Sequence, residues 1–344
     1  MTPILGIMAS QISGHLSDPN AYIAFSLLST NSVQVYIWNN GTGFGSKFAD
    51  PSGTQNRTAV GIRPDKKVIA AGGSTPSIQA YPWSQSGFGT IYSAPATAYT
   101  TNAYGLNWTS TGNDIGMAID GSPYGVIYAW SSGFGSKYAD PATLPQSSGR
   151  MISFTPSNNA VAVSGDGASP WVSAYPFTSG TGWGTKYADP SPGLSEGGRG
   201  NEWNPAGNVI ALSEGANSPY ISAYAWSSGF GSKYANPATL PGQGQNLAWS
   251  PDGTVLLCGK GTTPYIQAYA WSSGFGSKYA NPATLPAENG ISVAWNNLGT
   301  DVFSANYNVS PYVAAYAWSS GFGSKYANPA TAVSNTTYDV SFAA

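Results

Sequence analysis

The sequence predicts an all-β fold, a seven-bladed β-propeller with four antiparallel strands per blade. Three observations carry that prediction. A Gly-aromatic-Gly core recurs seven times, around Phe44, Phe88, Phe134, Trp183, Phe230, Phe275 and Phe322, at spacings of 44, 46, 49, 47, 45 and 47 residues, which is the period of one four-stranded blade. Within each period, short runs that alternate large and small side chains are separated by Pro- and Gly-containing turns. The first repeat lacks a first strand, and the chain ends in an extra strand of the missing kind.

Residues 245–286, QNLAWSPDGTVLLCGKGTTPYIQAYAWSSGFGSKYANPATLP, show the elements most cleanly. NLAWS is the first strand, Pro251-Asp252-Gly253 a turn, TVLLCG the second strand, and Thr263-Pro264 the next turn, because Pro and Gly preset turn dihedrals. YIQAYAW is the third strand. It places Tyr265, Gln267, Tyr269 and Trp271 on one face and Ile266, Ala268 and Ala270 on the other, so large faces are expected to pack against small ones on neighbouring blades. SKYANP is expected as a short outer strand ended by Asn281-Pro282, since proline cannot donate to a ladder.

Repeat one starts at its second strand, AYIAFSLLST, and continues with SVQVYIWNN, whereas the chain closes with TTYDVSFAA, Thr336 to Ala344. The C-terminal strand, residues 336–344, is therefore expected to complete blade one and remove the open sheet edges. The organisation that follows is a leader over residues 1–17 and a propeller over 18–344.

WSPDGTVLLCG followed by YIQAYAW resembles the first-to-third-strand run of the seven-bladed WD40 and WD40-like propellers, over roughly residues 18–344. The Gly-His and Trp-Asp dipeptides of that family are missing, so its internal hydrogen-bond network is absent in the usual form. The resemblance implies architecture and is silent about partners.

Charged residues make up 8% of the chain, against about 25% in a typical soluble domain. With a net charge of −2 and nine Lys and four Arg scattered along the sequence, no basic stripe is available for phosphates, so no nucleic-acid partner is expected. No apolar run reaches the ~18 residues of a spanning helix, and the N-terminus lacks the positive charge of a signal peptide. The expectation is a protein without membrane insertion, made in a host cytoplasm without a signal peptide. Cys258, the single cysteine, reads as a core thiol.

The one histidine, His15, has no cysteine neighbours, so neither a metal cluster nor a histidine-based triad is assembled. Asp50, Asp140 and Asp189 precede proline in repeats one, three and four, and Asn236, Asn281 and Asn328 take that place in repeats five to seven. Both types bond their own backbone in turns, and a catalytic acid does not tolerate Asn. SEGGRGNEWNPAGNVIALSEG gathers Glu196, Arg199, Glu202 and Glu214, either a local ion pair around Arg199 or a carboxylate pair of the glycosidase kind. No catalytic residue, metal or cofactor is assigned, and the chain is expected not to be an enzyme.

Repeated hairpins favour binding over catalysis. Lys47, Lys137, Lys186, Lys233, Lys278 and Lys325 share one repeat position, and with Phe230 and Phe275 they are candidate surface or glycan contacts whose copies would act together. Against this, Phe side chains fill gaps between blades more readily than they stay exposed. Trp38, Trp83, Trp130, Trp226, Trp271 and Trp318 read as inter-blade core.

The leader MTPILGIMASQISGHLSDPN belongs to no repeat. It resembles the short leaders of some tailed-bacteriophage virion proteins, and the SPDG, SPYI and YAWSSGFGSKYANPATLP repeats resemble WD40-like propellers of phage and environmental viral sequences. That resemblance implies a non-enzymatic virion structural protein on the particle surface, capsid decoration or tail component, with Ile4, Leu5, Ile7, Met8 and Ile12 docking on a capsid or tail protein. The alternatives are a glycan-binding adhesin for a host-surface glycan and, further off, a propeller hydrolase of the glycosidase or lactonase kind.

Overall fold

Thr337–Ala343, the last strand of the chain, pairs antiparallel with Tyr22–Leu27, from Tyr22 opposite Ala343 to Ser26 opposite Asp339. Blade one is thus built from both ends of the sequence, with Val33–Asn39 and Gly43–Lys47 completing its sheet. This computed structural model describes residues 21–29, 32–53, 55–146 and 148–343, and they form seven antiparallel four-stranded sheets, the seven-bladed propeller that the period predicts. The leader residues Ile4, Leu5, Ile7, Met8 and Ile12 lie outside the described residues.

The alternating strands explain how blades adhere. The small face of blade six, Val255, Leu257, Ile266 and Ala268, packs against Tyr316, Trp318 and Trp295 of blade seven. The same arrangement repeats at every seam, so the buried apolar residues fall into seven clusters, one between each pair of neighbours. Third-strand tryptophans are buried as expected, from Trp38 at 0% exposed to Trp318 at 8%.

Two details differ from the sequence reading. The outer strand of blade six is Phe275–Lys278, not SKYANP, because pairing resumes at once after the tight hairpin, with Phe275 opposite Trp271. It ends where Tyr279 turns its ring onto Trp318 of the next blade, 5.0 Å between centroids. In blades two and four the outer strand shrinks to Gly87–Phe88 and Gly182–Trp183. There the third strand carries Pro82 or Pro176, which has no N–H for the ladder.

A tyrosine ring of one blade reaching a tryptophan of the next recurs as Tyr92 on Trp130, Tyr187 on Trp226 and Tyr234 on Trp271. Trp226 also meets Trp203 at 4.5 Å and Phe230 at 5.2 Å. Deleting so large a buried ring leaves a cavity that the two stiff sheets do not close. Trp226→Ala is expected to lower unfolding free energy by ~3–5 kcal/mol in urea titration, whereas an exposed ring would give almost no change.

Candidate functional site

Seven inner strands converge on the axis: Thr337–Ala343, Arg57–Ile62, Ala103–Trp108, Gly149–Phe154, Gly198–Trp203, Gly244–Trp249 and Gly290–Trp295. Most pair with the second strand of their blade through a register shift near the start. Such a bulge sets two successive residues on one side of the sheet, so the second, third and fifth positions all supply channel-lining groups.

The second positions, Tyr338, Thr58, Tyr104, Arg150, Arg199, Gln245 and Ile291, line a cavity of about 250 Å³ at one mouth of the channel, together with Asp166, Met151, Asn246, Ser292 and Asp339. The fifth positions Gly61, Asn107, Glu202, Ala248, Ala294 and Ser341 line a second cavity of about 390 Å³ towards the other mouth. Met151, Asn246 and Asp339 border both, so the two cavities meet at the middle layer. One mouth carries arginines and tyrosines. Among the described residues the other carries no arginine or tyrosine, with Ile62, Pro64, Pro251 and Phe342 beside Asn296 and Asn297 around it.

Two carboxyl groups sit in this channel with no arginine of their own. Asp339 Oδ1 accepts from Ser292 Oγ at 2.6 Å and from the Val340 amide at 2.9 Å, while Oδ2 accepts from the Val60 amide at 3.0 Å. Burial outweighs these donors and pushes its pKa up to about 6. Among the described residues Glu202 has no donor to offset its burial, and burial first, then the charge of Asp339, pushes it up to about 8. At neutral pH Glu202 is therefore mainly protonated and Asp339 mainly ionised, a division of labour typical of acid–base sites.

At the mouth, Arg150 Nε lies 2.8 Å from Asp166 Oδ2, and its guanidinium stands over the Tyr104 ring at 4.2 Å. Burial pulls Arg150 down, yet the Asp166 carboxylate more than offsets this and holds it above its ordinary value. Arg199 Nη1 donates to Gln245 Oε1 at 3.4 Å. The local ion pair expected around Arg199 is not formed among the described residues. Glu196 instead accepts from the Ala216 amide at 2.6 Å, and the fully buried Glu214 accepts from the Ser195 amide and hydroxyl at 2.7 and 2.6 Å.

The rim residues singled out by repetition are occupied locally. Lys137 Nζ donates to Asp140 Oδ1 at 2.6 Å, and Lys47 and Lys186 pair likewise with Asp50 and Asp189. Lys278 and Lys325 donate to Asn281 and Asn328 at 2.6 and 2.8 Å. Asp and Asn exchange at this position because either offers an oxygen to the lysine three residues earlier, not because of a bond to their own backbone. Lys233 Nζ stands 5.9 Å from the Tyr224 ring. Phe230 and Phe275 are half-buried, 5.2 and 5.0 Å from Trp226 and Trp271. Cys258 is fully buried, and burial pushes its thiol up to about 12. Among the described residues, no group of three or more His, Cys, Asp or Glu is placed to hold a metal ion.

No protein-family model and no curated protein sequence matches the chain. Solved structures do share its fold. A protein named as a candidate 6-phosphogluconolactonase of Bacteroides fragilis aligns with a TM-score of 0.71 at 11% identity, covering 95% of this chain and 99% of that one. The periplasmic gluconolactonase of Pseudomonas aeruginosa gives 0.66 at 15%, covering 94% and 99%. A chain of the mitotic checkpoint complex gives 0.59 at 13%, covering 83% and 81%.

Identities this low establish the fold alone. They still overturn the expectation of a non-enzymatic virion structural protein, which treated the repeats as those of virion propellers. Two proteins that share the whole ring carry lactonase names, and that finding stands against it. Five charged residues, Arg150, Asp166, Arg199, Glu202 and Asp339, line the channel, and sequence reasoning passed over Arg150, Asp166 and Asp339 because none lies in a repeated motif.

The two raised carboxyls make a stability test. A carboxyl whose folded pKa exceeds its unfolded value binds more protons when folded, so stability falls as pH rises from the unfolded value through the folded one. For Glu202 that window runs from 4.5 to about 8. The chain is expected to melt lower at pH 9 than at pH 5, and Glu202→Gln is expected to recover ~1–3 kcal/mol at pH 9 after allowance for channel water. Equal pH profiles for the variant and the parent would show that the carboxyl is fully hydrated.

Proposed function

We propose that the chain is a hydrolase acting on a small sugar-acid lactone, or a comparable ester, in its central channel. The observation that carries this reading is one cavity holding a mainly protonated Glu202 and a mainly ionised Asp339, beneath a mouth that bears two of the four arginines in the chain. The lactonase names of two solved propellers of the same fold support the substrate class.

The chemistry balances on these groups. Asp339 Oδ2 accepts one bond and keeps a lone pair with which to take a proton from water. The resulting hydroxide adds to the lactone carbonyl, and the oxyanion that forms gains from the Arg150 guanidinium at the mouth, a charge already fixed in place by Asp166 before the reaction. Collapse of the intermediate breaks the ring C–O bond. Glu202 supplies the proton that the departing alkoxide needs, and the product leaves as a hydroxy acid.

Purified chain is expected to release acid from D-glucono-1,5-lactone or D-glucaro-1,4-lactone faster than spontaneous opening in a pH-stat, with a bell-shaped profile whose limbs lie near pH 6 and 8. Asp339→Asn and Glu202→Gln are each expected to lower the rate by ~10²–10⁴-fold. Lactone opening at the spontaneous rate throughout pH 5–9 would refute the proposal.

A further inference from the structure

The two guanidiniums at the channel mouth differ in what already satisfies them. Arg150 is balanced within the protein, by Asp166 at 2.8 Å and by the face of Tyr104. Arg199 is not. Among the described residues no carboxylate lies within ion-pair distance of it. Its contact with Gln245 is a long 3.4 Å, and its buried Nε, like that of Arg150, has no hydrogen-bond acceptor among the described residues, so the two differ in the ion pair that only Arg150 has.

An N–H withdrawn from water without an acceptor costs free energy that a ligand oxygen would return. The guanidinium fork matches a planar carboxylate through two parallel bonds. One cation without an ion pair suits one negative charge. A phosphate dianion would bring two, into a channel that already contains the ionised Asp339.

Resting on the lactone-hydrolase reading of the same channel, we propose that Arg199 is a specificity-determining residue that receives a free carboxylate of the substrate. The substrate class is then the monolactone or monoester of a sugar diacid, not a phosphorylated sugar acid. Arg150, held against Tyr104 by Asp166, shapes the mouth and does not set the charge of the ligand.

D-Glucuronate, D-glucose and D-glucose 6-phosphate share one ring and differ at carbon six, which makes them direct probes for calorimetric titration of the full chain. Glucuronate is expected to bind about tenfold more tightly than either of the others. Arg199→Met is expected to abolish that preference, and Arg199→Lys to restore part of it, having the charge without the fork. Asp166→Asn, by releasing Arg150, is expected to move the preference towards glucose 6-phosphate. A parent chain that does not prefer glucuronate, or a cooperatively melting Arg199→Met variant that keeps the preference, overturns the proposal. Lactone opening with no discrimination at carbon six would leave the hydrolase reading standing and remove this one; discrimination without turnover of any lactone would do the reverse.

Discussion

The rest of the structure depends on the pairing of Thr337–Ala343 with Tyr22–Leu27. Six blades are contiguous in sequence and would still present an open seam without it, because each blade buries its small-residue face only against the large-residue face of the next. The closing strand takes the innermost position of its sheet, where the seven first strands meet. Its third residue, Asp339, is therefore carried into the channel by the act of closure. There it accepts from Val60 of blade two and Ser292 of blade seven, so one side chain ties the closing strand to both of its neighbours.

That tie is poorly explained by stability alone. A neutral residue able to accept the same bonds would avoid the cost of a buried charge, and the raised pKa of Asp339 shows that the donors only partly compensate. Glu202, on the neighbouring stretch of channel, is less well served still. Charged groups held at such cost, in a chain with only 8% charged residues, are what the proposed lactone chemistry would use, since a charge fixed in place acts on a reacting group more strongly than a mobile one at the surface.

The fold was legible in the sequence because its signals are periodic. Seven Gly-aromatic-Gly cores, alternation in the third strands and the orphan terminal strand each follow from geometry that every blade shares. The site was not, for two physical reasons. A strict period of two would set Arg199 and Glu202 on opposite faces of their strand, and only the bulge near its start turns both to the channel. Asp339 is remote in sequence from Glu202 and joins it through ring closure, which no local pattern encodes.

Repetition itself drew attention to the wrong surface. A side chain kept at one position in nearly every blade serves what every blade needs: Lys137 bonds its turn, Phe230 fills against Trp226, and Tyr187 bridges to the next blade. A single site on the axis needs the opposite, one different group from each blade at an equivalent position. The second residues of the inner strands are Tyr, Thr, Tyr, Arg, Arg, Gln and Ile. In a ring of near-copies, chemistry is therefore to be sought where the copies disagree while their backbones agree, and in this chain that place is the channel.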